Sequence, residues 1–158
     1  MASELLKNII KLLESKEFVY VATCDLNREP YATSKFFLKA ENNSIYLADF
    51  VISQIYANLK ENPKASISVM NDETLHGYRL NGNASIIEAG DEFEGMINDL
   101  HQRKINFTTE RVIRAVQTGV KHEHFELSFP DRFVIFKIDV HTIAEISPQG
   151  RVRKEKVK

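Results

Sequence analysis

What this chain has little of narrows its identity first. It holds a single cysteine, Cys24, so no intramolecular disulfide can form. That fits a reducing cytoplasm. No apolar run approaches the ~20 residues that a membrane-spanning helix needs, so no membrane partner is expected. Residues 1–17 mix Lys and Glu with Leu and Ile, which is not the pattern of a secretory signal. The formal net charge is −1, so the molecule as a whole has no strong pull toward nucleic acid or an anionic membrane. Its one basic run is Arg151, Arg153, Lys154, Lys156 and Lys158. This run reads as a solvated, frayed tail, with nucleic-acid contact as the alternative.

Several chemistries are also missing. The six glycines are dispersed, and none opens a strand-to-helix turn with the spacing of a phosphate loop or a dinucleotide fingerprint. No nucleophile elbow is present. Cys24 ends a hydrophobic strand with Asp25 after it, and no cation in sequence would make it a thiolate, so it reads as a buried, inert thiol. His122-Glu123-His124 offers two imidazoles without the three or four ligands that a zinc site uses, and His76, His101 and His141 are scattered. No metal is expected.

What is present is an ordinary globular composition. The chain has 158 residues, 43% hydrophobic and 27% charged, with ten Phe and five Tyr for a core. One domain over residues 1–147 is expected, with 148–158 as a basic tail. Ser3 can cap a first helix carrying Leu5, Ile9, Leu12 and Leu13, which ends near Lys16. Residues 18–24 (FVYVATC) read as a strand, 25–30 (DLNREP) as a turn, and 31–39 (YATSKFFLK) as the partner strand.

The middle of the chain is the most informative. Residues 44–70 read strand, helix, strand. Ile45 and Leu47 alternate with polar or small neighbours; Ile52, Ile55, Tyr56 and Leu59 follow at helical spacing; Asn62-Pro63 stops the helix; Ile67 and Val69 resume the period of two. So short a helix cannot bury its stripe alone and must lie across the end of a sheet. Its free N–H groups then favour a phosphate or another anion. Thr33, Ser34 and Lys35 stand on one strand, and Ser53 and Gln54 at the head of this helix, one strand away. Hydroxyls, a cation and helix N–H groups are together what a phosphate requires.

Residues 74–87 contain a long strand in which Gly77 and Gly82 predict bulges or sharp bends. Asp91 to Glu94 has capping-box form and starts a helix with Phe93, Met96, Ile97 and Leu100 on one face. Thr108 or Thr109 caps a second helix carrying Val112, Ile113 and Val116, which Gly119 stops. Residues 121–131 read as a loop, and 132–146 as the longest strand. About six strands and four helices result. Tight turns impose antiparallel pairing, and glycine bends favour a closed barrel. The expected fold is mainly β with flanking helices (α+β), six antiparallel strands in a small closed barrel.

The chain resembles the flavin-binding split-barrel family typified by pyridoxamine 5′-phosphate oxidase. The resemblance rests on DLNREP at 25–30, YATSKFFLK at 31–39, IYLADF at 45–50, NLKENPKASISV at 58–69 and YRLNGNASI at 78–86. It implies a six-stranded antiparallel split β-barrel, with FMN in a groove at the interface of a homodimer. It implies flavin contacts along Thr33, Ser34, Lys35 and Phe36, and at Ala48 and Asp49. The family's Ser-Arg-Lys phosphate triplet falls on Ser53, Gln54 and Ile55, so the hydroxyl is kept and both cations are replaced. The family's C-terminal Arg-x-His substrate motif has no counterpart after Arg132. The expectation is an FMN-dependent oxidoreductase acting on a small molecule other than vitamin B6. The alternative is a non-catalytic ligand-binding or sensor module.

Overall fold

The structure is a computed structural model, and it describes residues 3–50, 53–120 and 132–157. Among these lie three helices and seven strands: α1 (Glu4–Glu14), β1 (Phe18–Cys24), β2 (Pro30–Glu41), β3 (Ser44–Asp49), α2 (Gln54–Glu61), β4 (Lys64–Met70), β5 (Gly77–Ile87), α3 (Asp91–Thr118), β6 (Val134–Ile146) and β7 (Val152–Lys156). The sheet order is β3-β2-β1-β4-β5-β6-β7, every pairing is antiparallel, and β3 also pairs with β6. That last pairing closes six strands into a barrel and leaves β7 outside it. Ile52 of the expected helical stripe and the whole His122–His124 cluster lie outside the described residues.

Local chemistry explains the turns. Asp25 accepts the Glu29 N–H on Oδ1 at 2.9 Å, and Arg28 takes a φ of 67°, so β1 returns as β2 with Cys24 opposite Pro30. Gly82 is the bend that matters. The β5–β6 register shifts between Asn81 and Gly82, and a Cβ on Gly82 would stand 2.2 Å from the Asp139 carbonyl oxygen. Only glycine allows that approach. Gly77 simply begins β5, and a Cβ there would have room.

Strand alternation divides the apolar residues between two cores. Val19, Val21, Phe37, Ile45, Leu47, Ile67, Leu80, Phe136 and Ile138 fill the barrel interior. Leu6, Ile9 and Leu13 of α1 and Ile55 and Leu59 of α2 join them. A helix reaches the inside of a closed barrel only through an end, so these two helices are its stoppers. The second core lies on the outer face, where Phe36, Leu38, Tyr46, Ala48 and Ile135 meet Met96 and Leu100 of α3. Hence β3 is buried on both faces rather than half-buried.

Several expectations change. The two helices predicted between residues 91 and 119 are one helix of 28 residues. No Gly or Pro interrupts it at the threonines, and Thr109 returns its hydroxyl to the Ile105 carbonyl at 2.8 Å, so it sits mid-helix without needing a cap. Its N-cap is Gly90, which puts Asp91 inside the first turn. Gly119 does end it, in the left-handed region at φ 68°. Val112, Ile113 and Val116 are exposed rather than packed. The basic tail is not frayed: residues 152–156 form β7 along β6.

Candidate functional site

The head of α2 gathers the polar residues that the sequence singled out. On β2 the partners of buried Val21 and exposed Tyr20 are Thr33 and Ser34, so Thr33 and Lys35 face inward while Ser34 faces out. On β3 the same alternation turns Asp49 inward. Lys35 and Asp49 therefore meet at the mouth of the barrel, with Nζ 2.7 Å from Oδ1. Their side chains are 7% and 0% exposed. Lys35 also points its ammonium at the Ser53 hydroxyl, 3.4 Å away.

Ser53 is the N-cap of α2, in extended conformation, yet its side chain caps no helix N–H. The first helical bonds run from Tyr56 and Ala57 to the Ser53 carbonyl. Helix geometry leaves the N–H groups of Gln54 and Ile55 outside that ladder. The head of α2 is thus a patch of positive dipole with its hydroxyl turned toward Lys35. The second carboxylate oxygen of Asp49 is buried and has no hydrogen-bond partner among the described residues.

The nine expected residues do not form one surface. Lys35, Asp49, Ser53 and Gln54 converge at the α2 head, and Thr33 lies half-buried beside Lys35 along β2. Ser34 is exposed on the outer face. Ile55 is wholly buried in the barrel core, because it continues the apolar stripe of α2. Phe36 and Ala48 are buried beneath α3, with the Phe36 ring against Phe18, Phe50 and Phe107 at centroid distances of 5.7, 5.7 and 6.5 Å. The side chains of Phe36, Ala48 and Ile55 are core, so these positions can offer a ligand only backbone.

Sequence reasoning missed a polar seam joining α2 to β1. Gln54 donates to the side-chain Oδ1 of Asn58 at 2.9 Å, and the Asn58 side-chain amide donates to the Thr23 hydroxyl at 3.1 Å. Asn62 donates to the Cys24 carbonyl at 3.2 Å and lies 3.3 Å from its sulfur. Gln54, Asn58 and Asn62 are spaced by four, one face of a helix. That spacing was the available signal. Thr23 and Asn58 are 5% and 2% exposed, so the seam fixes how α2 sits on the barrel.

Among the described residues no group of three or more His, Cys, Asp or Glu could hold a metal ion. No described helix is long and apolar enough to cross a membrane.

Comparison with curated protein sequences returns no match. Solved structures of the same fold are numerous. Campylobacter jejuni ChuZ aligns with a TM-score of 0.68 at 18% identity, over 98% of this chain and 61% of that one. A heme binding protein from Mycobacterium smegmatis gives 0.65 at 15%, over 99% and 59%. A pyridoxamine 5′-phosphate oxidase-related, FMN binding protein from Nostoc punctiforme gives 0.58 at 16%, over 98% and 95%. The chain spans about three fifths of the first two and nearly all of the third. At these identities the likeness is one of fold. The sequence profile described as pyridoxamine 5′-phosphate oxidase matches residues 5–146, nearly the entire barrel with its helices, and the chain therefore belongs to that family.

Proposed function

We propose that this chain is a cytoplasmic FMN-binding protein that works as a homodimer, with the flavin phosphate at the head of α2 and the flavin along β2. The observation that carries the reading is the junction of Lys35, Asp49 and Ser53 at an uncapped helix head. The N–H groups of Gln54 and Ile55, which stand ahead of the first helical bonds among the described residues, and the half-buried Ser53 hydroxyl suit an anionic group. The backbone of residues 33–36 would follow the ring and ribityl chain. Bound flavin supplies hydride or electron transfer to a small substrate, while the protein positions it and tunes its electronics.

The phosphate grip rests on the helix rather than on side-chain cations. Lys35 is neutralised by Asp49, Gln54 is uncharged and engaged with Asn58, and Ile55 packs in the core. Each charge-assisted hydrogen bond is worth about 1.5–3 kcal/mol, so two missing cations weaken FMN by a few powers of ten relative to a site that has them. This weakening favours a second reading, a non-catalytic module for another planar ligand. The fold's occurrence in a heme binding protein makes a tetrapyrrole the first alternative to try.

Titration of the purified protein with FMN, read by quenching of flavin fluorescence, separates the two. Saturation near one flavin per chain supports the flavoprotein. Gln54→Arg should then tighten FMN by roughly tenfold, the worth of one new ionic contact. A protein that ignores FMN but develops a Soret band with haem belongs to the second reading. If Gln54→Arg leaves a measurable FMN affinity unchanged, the phosphate does not sit at the head of α2.

A further inference from the structure

The basic tail acquires a place once it becomes β7. Residues directly opposed in antiparallel strands share a face. Ser68, Arg79, Ala144 and Lys154 are consecutive partners across β4, β5, β6 and β7. Ser66, Asn81, Thr142 and Lys156 form the adjacent row. Both rows lie on the outer face of the barrel, because the intervening Ile67, Leu80 and Ile143 fill its interior. Neither row contains a carboxylate. In a chain of net charge −1, three cations are thus gathered on a patch about 14 Å wide, three strand spacings.

The patch is concave. One hollow of 490 Å³ is lined by Lys64, Ser66, Asn81, Asn83, His141 and Thr142 among others. A second of 420 Å³ is lined by Arg79, Lys154 and Lys156, and shares Asn81 and Thr142 with the first. Glu155 is the one carboxylate among the described lining residues, and it pairs with Arg153 at 3.7 Å. The two halves differ in chemistry. The first offers amides and hydroxyls, which both donate and accept, together with the one ammonium of Lys64 and the His141 imidazole. The Ser66 hydroxyl donates to Asn81 Oδ1 at 2.8 Å, which leaves the Asn81 N–H₂ as a donor. The second offers ammonium and guanidinium groups.

We propose that this trough binds a phosphorylated nitrogen heterocycle of the 5′-mononucleotide class. The phosphate lies against Arg79, Lys154 and Lys156, and the edge of the heterocycle meets Asn81, Asn83 and the neighbouring hydroxyls. Amides read donor–acceptor edges and cations hold phosphate, so the order of the two halves sets the direction of the ligand. The volume suits a ligand of this size. The site has no residue in common with the head of α2, and it stands whether or not flavin binds there.

The test is isothermal titration at low salt with the 5′-monophosphates of adenosine, guanosine, cytidine and uridine in turn. At least one saturates with a Kd below about 1 mM, and the matching nucleoside without phosphate binds roughly tenfold more weakly or worse. Lys154→Ala with Lys156→Ala lowers that affinity roughly tenfold or more while the thermal midpoint stays put, because both side chains are exposed. Gln54→Arg leaves it unchanged. Failure of all four nucleotides to saturate overturns the proposal. So do an unchanged affinity in the double variant, an affinity shifted by Gln54→Arg, or inorganic phosphate binding as tightly as the best nucleotide.

Discussion

Replacing Lys35 by methionine tests the buried polar junction at its centre. The pair lies 2.7 Å apart with side chains 7% and 0% exposed. Its Coulomb attraction at an effective dielectric of ~20 is about 6 kcal/mol, and most of this offsets the cost of taking two charges out of water. Removing the lysine alone leaves that cost on Asp49 without the compensation. Asp49 already has one oxygen without a partner among the described residues, and the variant strips the other. Breaking such a pair from one side costs about 3–5 kcal/mol. With a urea m-value of about 2 kcal/mol per molar, the unfolding midpoint should fall by about 2 M. The companion variant carries Asp49→Leu as well. It removes both charges and fills the space with carbon, so most of the loss should return, to within about 1 kcal/mol of the parent. Far-UV circular dichroism in urea gives both midpoints. If Lys35→Met alone does not accumulate folded, recovery of soluble protein in the double variant makes the same comparison. A midpoint shift under about 0.5 M in the single variant would refute the argument, as would a double variant no more stable than the single.

Other consequences follow from particular contacts. Gly82→Ala puts a Cβ 2.2 Å from the Asp139 carbonyl oxygen, and it should cost about 3 kcal/mol or more in thermal or urea unfolding, whereas Gly77→Ala should cost far less. Arg103 donates to the carbonyls of Phe37, Lys16 and Glu14 at 2.6, 2.9 and 3.2 Å, with its guanidinium over the rings of Phe37 and Phe107. Burial lowers its pKa from the ordinary value, while Glu14, Glu17 and Glu110 pull it back up. Arg103→Ala should destabilise by about 2–4 kcal/mol, and Arg103→Lys should recover little, because an ammonium cannot span three carbonyls (urea midpoints decide). The Glu88 carboxyl is held below its ordinary range, first by the hydrogen bond from Tyr56 and then by Lys60. A depressed carboxyl stabilises the fold above its unfolded pKa and loses that contribution as pH falls through the lower folded value. Tyr56→Phe should therefore slightly lower stability above about pH 4.5, where the contribution is present, and flatten its fall on the acid side, so that urea midpoints of variant and parent converge at low pH.

Much of the fold was legible because the local signals agreed with one another. The 18–24 strand, its DLNREP turn and the Asn62-Pro63 stop fall where expected, since aromatic and β-branched runs, an Asp turn and a proline act over a few residues. The long α3 helix was misread for the same reason: two threonines resemble caps until the helix is seen to run through them. At the candidate site, residue types were legible and directions were not. The resemblance places Thr33 to Phe36 along one ligand, but it does not say which side chains share a face, and the strand sends Lys35 inward and Phe36 outward. Asp49 as the partner of Lys35, and the Gln54–Asn58–Thr23 seam, depend on which strands become neighbours across the barrel.

By itself the sequence determined the element types from α1 to β5, the antiparallel pairing of strands joined by tight turns and the glycine at the bend, because each depends on backbone preferences and period within a short window. Tertiary structure alone decided that Lys35 would be neutralised at the mouth of the barrel, that α3 would bury Phe36 and Ala48, and that the basic tail would lie as a seventh strand beside Asn81 and Thr142. Those outcomes require segments distant along the chain to meet, and only closure of the barrel sets which side chains then share a face.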